Sequence, residues 1–440
     1  MKFSRYNIFS KIHGSNNFFI VNLLSGNADI LDPYEARIVD SISRGVVRSL
    51  NDFLSILVEK GYISDPDSEQ KLFRQKYLEF LDNRYKDEIQ IFFITNYSCN
   101  FSCNYCYQDQ YNIATTALSK EVIDLFLKYI NTSFSDRKKY ITLFGGEPLL
   151  SSPIHKELIE YFVSETAKLS FELCVVTNGY TLPEYIDILS KGRIREIQVT
   201  LDGTASVHNS RRHLKGGWNT FEKVVNGIDL CLENNFPVNL RVVVDKENFE
   251  NLHELAKFSI NKGWTDNPLF KTQLGRNYEL HHCQSDPGKL FDRASLYENL
   301  YLLIQKNPEF VKFHKPAYSF AKFLSQNGKL PDPLFDSCPA CKTEWAFDFT
   351  GNIYPCTATV GKEGESLGKF FPSNETFEEL INIWESRDIL SIEKCADCNL
   401  SLACGGGCGS VAKNLNGTIC SPDCRPIKEL LELGFAAYFS

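Results

Sequence analysis

The stretch "SCNFSCNYCYQ", residues 98–108, places three cysteines close together in the spacing C-x3-C-x2-C. These residues are Cys99, Cys103 and Cys106. Three is an odd number for disulfides and one fewer than the four ligands of a structural zinc site. Three thiolates on one loop also hold three corners of a [4Fe–4S] cube and leave the fourth iron open to another ligand. The alternative is a zinc site that a distant His or Cys completes.

The composition describes an ordinary globular protein: 440 residues, 43% of them hydrophobic and 23% charged. A chain of this length buries most of its apolar surface without disulfides, so its 15 cysteines need another explanation. Neither a secretory signal nor an apolar run of 18 residues is present, which predicts a cytoplasmic protein without a membrane span. In the reducing cytosol, clustered cysteines indicate metal or redox chemistry. The net charge of −8 argues against nucleic acid as the main partner.

Strand and helix patterns alternate through residues 81–277, and each strand pattern ends in a polar or glycine-rich turn. The strand patterns are "IQIFFIT", "YITLF", "ELCVV", "EIQVT", "NLRVVV" and "LFKTQL". Six βα repeats predict an α/β fold in which a parallel sheet forms a partial TIM-like barrel. The chemistry of such folds lies at the carboxyl ends of the strands, and the cysteine loop follows the first strand.

The regions that flank this barrel have different patterns. Residues 1–80 predict a small unit of three short strands followed by helices, with a charged helical linker near its end. Residues 278–337 read as an irregular, partly helical bridge. Residues 338–440 contain nine cysteines and few long helical patterns, which indicates a separate cysteine-rich domain.

The barrel motifs together resemble the radical S-adenosylmethionine (SAM) superfamily. The resemblance rests on the cysteine triad, the aromatic Tyr107 after it and the loop Gly145–Pro148 ("GGEP") after the second strand. It implies that Cys99, Cys103 and Cys106 hold a [4Fe–4S] cluster and that SAM is its missing ligand. In that family the reduced cluster passes one electron to the sulfonium, which releases a 5′-deoxyadenosyl radical.

Further SAM contacts follow from the same resemblance. "VTLDG" with "HNSRR" resembles the ribose and carboxylate contacts of related maturases. The residues implied to contact SAM are Gly145, Gly146, Glu147, Thr200 and Arg212. The ordinary alternatives are a solvated surface arginine for Arg212 and a turn residue for Asp202. Asn178, in "TNG", is either a turn residue or a ligand.

The late cysteines resemble the SPASM domain, which carries two auxiliary [4Fe–4S] clusters, so three clusters are expected in all. The ligands implied for the first are Cys338, Cys341, Cys356 and Cys408, and those for the second are Cys395, Cys398, Cys404 and Cys424. Only two residues separate Cys338 from Cys341, fewer than in relatives, so the first cluster is alternatively open to substrate. Cys420 is the alternative to Cys424. A double zinc ribbon would explain the C-x2-C pairs alone. We interpret Cys174, Cys231 and Cys283 as small buried hydrophobic residues.

Residues 1–80 resemble the winged-helix peptide-recognition domain of enzymes that mature ribosomal peptides. In those enzymes a leader peptide adds a strand to the edge of the sheet, so that backbone hydrogen bonds provide affinity. The alternative is a winged helix used only for packing or dimerisation. The resemblance to the whole family covers roughly residues 88–430, with this unit in addition.

These resemblances imply an oxidoreductase that installs a thioether, C–C or C–O crosslink in a ribosomally synthesised precursor peptide (RiPP). The implied partners are that peptide, bound through its leader, and an electron donor such as flavodoxin or ferredoxin. One alternative is an anaerobic sulfatase maturase, which forms formylglycine. In those enzymes an aspartate proposed as the base follows the cysteine that matches Cys356, where this chain has Thr357. Another is a non-catalytic Fe–S or zinc regulatory protein. The sequence assigns no catalytic base.

Overall fold

The structure, a computed structural model, describes residues 1–46, 52–106, 117–277 and 288–439, so Tyr107 and Cys283 lie outside the described residues. The first elements in chain order are β1 (Lys2–Phe3), β2 (Asn7–Lys11), β3 (Phe18–Asn22), β4 (Asn27–Leu31), α1 (Pro33–Ser43), α2 (Asp52–Glu59), β5 (Ile63–Ser64) and α3 (Pro66–Arg84). Strands β2, β3 and β4 form an antiparallel sheet in that order. The three strands and two helices predicted here are confirmed, whereas the winged-helix assignment stays a prediction.

Both faces of this small sheet are covered. Successive side chains of β3 point to opposite faces, and most of them are apolar. Ile20 packs with α1 and α2 on one face. Phe19 and Val21 point to the other face and pack against residues of the carboxyl-terminal region. Asp32 ends the sheet and begins α1, where its carboxylate accepts from the backbone N–H of Glu35 in a capping box.

The barrel region contains six parallel strands, as predicted. Its elements are β6 (Ile89–Ile94), β7 (Phe101–Cys103), α4 (Lys120–Ser133), β8 (Lys139–Phe144), α5 (Pro153–Lys168), β9 (Glu172–Thr177), α6 (Ile186–Leu189), β10 (Arg193–Thr200), α7 (Ala205–Arg211), β11 (Arg212–Leu214), α8 (Phe221–Glu233), β12 (Val238–Val244), α9 (Leu252–Asn261) and β13 (Phe270–Arg276). Strands β6, β8, β9, β10, β12 and β13 are parallel neighbours in that order. Their carboxyl ends therefore share one edge of the sheet. Phe93 of β6 stacks on Phe126 of α4 and Phe162 of α5, which fixes these helices against the sheet.

The carboxyl-terminal region extends the same sheet. Its elements are α10 (Arg293–Lys306), α11 (Phe310–Phe313), α12 (Ala321–Asn327), β14 (Glu344–Asp348), β15 (Asn352–Tyr354), β16 (Gly368–Lys369), β17 (Glu375–Thr376), α13 (Glu378–Glu385), α14 (Glu393–Ala396), α15 (Ser401–Cys404), α16 (Gly409–Asn416) and α17 (Ile427–Tyr438). Strand β14 pairs in parallel with β6, and β15, β16 and β17 follow as antiparallel neighbours. Within the described ranges, every helix is too short or too polar to cross a membrane.

The two ends of the chain share a hydrophobic core. Phe19 stacks on Phe435 of α17, with ring centroids 4.5 Å apart. The helix α3, predicted as a linker, packs Phe73 and Phe80 against Phe335. Deleting residues 1–80 would expose this core, so the role of the first domain has to be tested with point variants.

Candidate active site

The cysteine loop after β6 lies directly against the glycine loop after β8. The backbone N–H of Gly146 donates to the carbonyl of Asn96 at 3.0 Å, and that of Glu147 donates to the carbonyl of Ser98 at 2.8 Å. A Cβ on Gly146 would lie 2.1 Å from the Ser98 oxygen. A Cβ on Gly145, whose φ is +139°, would likewise lie 2.4 Å from the carbonyl oxygen of Asn96. The glycines predicted to approach SAM therefore also have to accommodate the cysteine loop.

We expect Gly146→Ala to lose the cluster at this loop, because the added methyl would displace residues 96–98 and core overpacking costs about 1–3 kcal/mol. The measurement is iron content, which should fall by about four atoms per chain, the content of one cube, together with loss of SAM cleavage. Gly275→Ala is the control, since a Cβ there lies 3.5 Å from its nearest atom, Nη2 of Arg241. A Gly146→Ala protein with full iron would contradict the steric argument.

Glu147 is fully buried, and three protein donors hold its carboxylate. Oε1 accepts from the Leu149 N–H at 2.9 Å and the Thr177 hydroxyl at 2.7 Å, and Oε2 accepts from the Asn178 N–H at 2.7 Å. Burial raises the pKa of this carboxyl. Close by, the buried Oδ1 of Asn96 has no hydrogen-bond partner in the described part of the chain. A bound ammonium would satisfy this acceptor.

Arg212 is buried beside the cysteine loop rather than solvated on the surface. Strand β11 pairs antiparallel with β7 and sets Arg212 opposite Cys103. Nη1 donates to the Tyr105 hydroxyl at 2.6 Å. Burial opposes the charged form, but Cys103, Tyr105 and Asp202 outweigh it and raise the pKa of the guanidinium. Its Nε is buried without a hydrogen-bond partner among the described residues, so one donor is left for an anion.

Asp202 is a buried acceptor for several groups rather than an exposed turn residue. Its carboxylate accepts from the Tyr105 hydroxyl, from the Val243 N–H at 3.0 Å and from Nε of Arg211 at 3.3 Å. Arg211 in turn binds both oxygens of Asp245, at 2.8 and 2.9 Å. Sequence reasoning missed Tyr105. Its place between two ligand cysteines in the C-x2-C spacing was the signal available.

Asn178 shapes a turn and also contacts the cysteine loop. Its Oδ1 accepts from the Tyr180 N–H at 3.0 Å. Its Nδ2 donates to Oδ1 of Asn100 at 2.7 Å and lies 3.8 Å from the Cys99 sulfur. Thr200 is the last residue of β10 and is buried at the same edge of the sheet. Gly145, Gly146 and Thr200, which are expected to contact SAM, thus lie at one edge of the sheet.

The donor set of this edge fits a cluster with SAM. Burial, and next Glu147, raise the pKa of Cys99 to about 12, with smaller contributions from the nearby Cys103 and Cys106. A thiol with this pKa stays protonated at neutral pH unless a metal holds it as thiolate. The acceptor on Asn96 and the donor on Arg212 match the ammonium and the carboxylate of an amino acid group.

The first group of late cysteines contains all four predicted ligands. The backbone N–H of Gly409, next to Cys408, donates to the Cys338 sulfur at 3.4 Å. Burial raises the pKa of Cys356, and the neighbouring Glu344, Cys338 and Cys408 raise it further. Burial and Glu385 raise the pKa of Cys341, and Cys338 adds a smaller contribution in the same direction. Cys338 therefore lies with the other three thiols.

The cysteines expected to hold the second auxiliary cluster are Cys395, Cys398, Cys404 and Cys424. Burial raises the pKa of Cys395 to about 11, followed by contributions from Cys404, Cys398 and Cys424. Cys420 is exposed. In the ranges that the structure describes, no three Cys, His, Asp or Glu side chains converge closely enough for a single metal ion. The thiols form neighbouring groups instead.

The remaining barrel cysteines differ from each other. Cys231 is fully buried in α8, as predicted. Cys174, in β9, is only partly buried, so the prediction of a buried residue is wrong there. The reason is that alternate residues of β9 are only partly covered, and Cys174 belongs to that set.

Residues 93–259 match the family model described as the Radical SAM superfamily. This part of the chain is a radical SAM domain. The domain contains the cysteine loop, the glycine loop and Arg212, so the resemblance read from these motifs is confirmed. Membership implies SAM and one [4Fe–4S] cluster at this site.

Two kinds of curated enzyme are among the proteins similar to this chain. One is the cysteine-type anaerobic sulfatase-maturating enzyme of Clostridium novyi, which is 22% identical over 71% of this chain and 85% of its own. Another is the radical SAM cyclopropyl synthase TigE of Paramaledivibacter caminithermalis, which is 21% identical over 93% of this chain and 87% of its own.

Solved structures show the same fold. Native anSMEcpe with bound AdoMet superimposes with a TM-score of 0.61 at 19% identity, and the match covers 80% of this chain and 98% of that one. Streptococcus suis SuiB bound to the precursor peptide SuiA gives a TM-score of 0.52 at 14% identity, with 96% and 98% covered. At these identities the likeness establishes the fold, including its parallel sheet.

Proposed function

We propose that this enzyme installs an intramolecular crosslink, through sulfur, carbon or oxygen, in a ribosomally synthesised precursor peptide. One observation carries the proposal. The same chain contains a radical SAM site, two further sets of four cysteines and an amino-terminal sheet with an edge strand, β4. The likeness to SuiB and TigE over more than nine tenths of the chain supports it.

The residues of the barrel edge would divide the work of holding the cofactors. Cys99, Cys103 and Cys106 would bind the cluster, Asn96 would accept from the amino group of SAM and Arg212 would donate to its carboxylate. When bound, these cofactors supply the radical that removes a hydrogen atom from the peptide. Glu147, with both oxygens held, would keep the glycine loop in shape.

The two late thiol groups would hold auxiliary [4Fe–4S] clusters. The first group is Cys338, Cys341, Cys356 and Cys408, and the second is Cys395, Cys398, Cys404 and Cys424. Closing a bond between two side chains leaves one surplus electron, and these clusters provide its exit. A small redox protein such as flavodoxin or ferredoxin would supply the electron for SAM cleavage.

The leader of the peptide would add a strand to the sheet of the first domain. Both faces of that sheet are packed, and β2 lies against α17, where Ser10 donates to Glu432. Strand β4 is the other edge, and its Ile30 is 41% exposed. An extended peptide would pair with the backbone of β4 and place apolar side chains near Ile30.

We expect Ile30→Glu to lower kcat/KM for a leader-bearing peptide by about tenfold, which corresponds to ~1.4 kcal/mol. A charge on an edge strand opposes pairing with another strand. The 5′-deoxyadenosine formed without peptide should not change, because the barrel binds SAM. Leu169→Glu is the control, since Leu169 is similarly exposed, at 45%, on the barrel surface. An equal loss of kcat/KM in both variants would show that the leader does not bind at β4.

Co-expression with the short reading frames beside the gene tests the proposed function. The expected product is a peptide lighter by two hydrogen atoms whose fragments stay joined across the crosslink. Formylglycine formation would instead convert a single Cys or Ser. Thr357 argues against that reaction, because it stands where the maturases have an aspartate. Its N–H and hydroxyl both donate to Oε1 of Glu344, at 2.8 and 3.0 Å.

A further inference from the structure

Arg387 is a fully buried arginine that binds backbone carbonyls of two cysteine-bearing loops. Its Nη1 donates to Gly407 at 3.0 Å and its Nη2 to Gly406 at 2.8 Å. Its Nε donates to Ile419 at 2.7 Å, and Nη2 also reaches Ser421 at 3.2 Å. One guanidinium therefore fixes the segment between Cys404 and Cys408 and the segment around Cys420.

The glycine loop 405–407 connects the two thiol groups. Cys404 at its start belongs to the second group, and Cys408 at its end belongs to the first. All three glycines have left-handed φ, between +61° and +74°. A Cβ on Gly407 would lie 2.1 Å from the carbonyl oxygen of Asp423, so this shape depends on glycine. The loop and Arg387 together determine how the two groups sit relative to each other.

A buried ion pair extends this arrangement to Cys338. Nζ of Lys342 lies 2.6 Å from Oδ2 of Asp336, and both side chains are almost fully buried. Asp336 accepts from the Cys338 N–H at 2.9 Å, and Lys342 donates to the Cys338 carbonyl at 3.3 Å. Lys342 also donates to the Arg387 carbonyl at 3.1 Å. Both backbone groups of one ligand cysteine are thus held.

The charge of Arg387 lies between the two thiol groups. A methyl on Gly409 would be 3.2 Å from both the Cδ of Arg387 and the sulfur of Cys338. On the other side, Nη2 of Arg387 binds the carbonyl of Gly406, which lies two positions after Cys404. In the described part of the chain, the one carboxylate within 4.0 Å is Asp336, at 3.7 Å, and it pairs more closely with Lys342.

A buried cation is unfavourable without a close anion. Four thiolates around a [4Fe–4S] cube give an anionic cluster, and nearby charge and hydrogen bonds set its reduction potential. We propose that Arg387 is a positioning residue that fixes the two auxiliary clusters relative to each other and raises the reduction potential of both. The inference rests on the cluster ligands of the proposed function and is independent of which peptide is modified.

The test compares Arg387→Gln and Arg387→Lys in the reconstituted holoenzyme by redox titration followed by electron paramagnetic resonance. We expect Arg387→Gln to make the reduction potentials of both auxiliary clusters more negative. At a fixed applied potential, the ratio of oxidised to reduced cluster should rise at least tenfold, which corresponds to ~59 mV for one electron. Lys keeps the charge, so its shift should be smaller. The SAM cluster of the same molecule is an internal reference and should not shift.

Arg193→Gln is the control. Arg193 also donates to a backbone carbonyl, that of Ser170 at 3.3 Å, and that contact is away from the late cysteines. Its loss should leave both ratios within twofold of the wild type.

Unchanged potentials in Arg387→Gln, or a shift of one auxiliary cluster alone, would overturn the inference. If Gln loses auxiliary iron, the Lys variant decides: full iron with both signals altered supports the inference. Loss of the auxiliary clusters from both variants, or of the SAM cluster as well, overturns it, since a purely structural role then suffices. A wild-type protein without auxiliary signals would instead refute the cluster assignment itself.

Discussion

Replacement of Cys99, Cys103 and Cys106 by Ala is expected to abolish 5′-deoxyadenosine formation while about eight iron atoms per chain remain, the content of two cubes. The three thiols lie on one loop, and the other two thiol groups lie beyond residue 337. Thiolates are the ligands that iron–sulfur clusters require. The measurements are iron and sulfide content, and 5′-deoxyadenosine after anaerobic reduction with SAM. Cys174→Ala is the control, because Cys174 lies in the same sheet outside the thiol groups.

Two results would contradict this expectation. A triple variant that loses all its iron shows that the sites do not assemble separately. A triple variant that still cleaves SAM shows that the cluster lies elsewhere. Retained thermal stability is needed for the first conclusion, since the loop packs against Gly145 and Gly146.

The barrel could be predicted from sequence because its local patterns and its global fold agree. Buried parallel strands read as short apolar runs, and each carried its polar signature at the carboxyl end. The prediction of Arg212 rests instead on the resemblance of "HNSRR" to the carboxylate contact of related maturases. Its neighbour Arg211 turned out to bind Asp245, and no sequence pattern separates two adjacent arginines. The pairing of Arg212 with Cys103 across β7 and β11 makes the difference.

Contacts between distant segments could not be predicted. Strand β14 joins β6 although some 250 residues of sequence lie between them. Helix α3 looked like a polar linker because its few aromatic residues, such as Phe73, are spread among charges. Arg387, in "ESRDIL", has no motif at all. Its role depends on carbonyl directions in loops far along the chain, which only the folded structure defines.

The second large effect is expected from Ala at Cys395, Cys398 and Cys404. This variant should still form 5′-deoxyadenosine and should yield no crosslinked peptide. Forming a bond between two side chains removes two hydrogen atoms, and the adenosyl radical takes only one. The electron of the other needs an acceptor, which the second thiol group would provide. Cys420→Ala is the control, because Cys424 and not Cys420 is the late cysteine proposed as the fourth ligand.

Misfolding is the competing explanation for such a loss. Cys395 belongs to the core that the two chain ends share, and metal binding organises cysteine-rich regions. Assaying the same preparation for both products separates the two explanations. If 5′-deoxyadenosine forms and the peptide keeps both hydrogens, electron exit or peptide placement has failed while the SAM site is intact. If neither product forms, the variant is misfolded and the single Cys398→Ala variant takes its place. If the peptide emerges lighter by two hydrogens, the second auxiliary cluster is structural at most, and electron exit through it has to be abandoned.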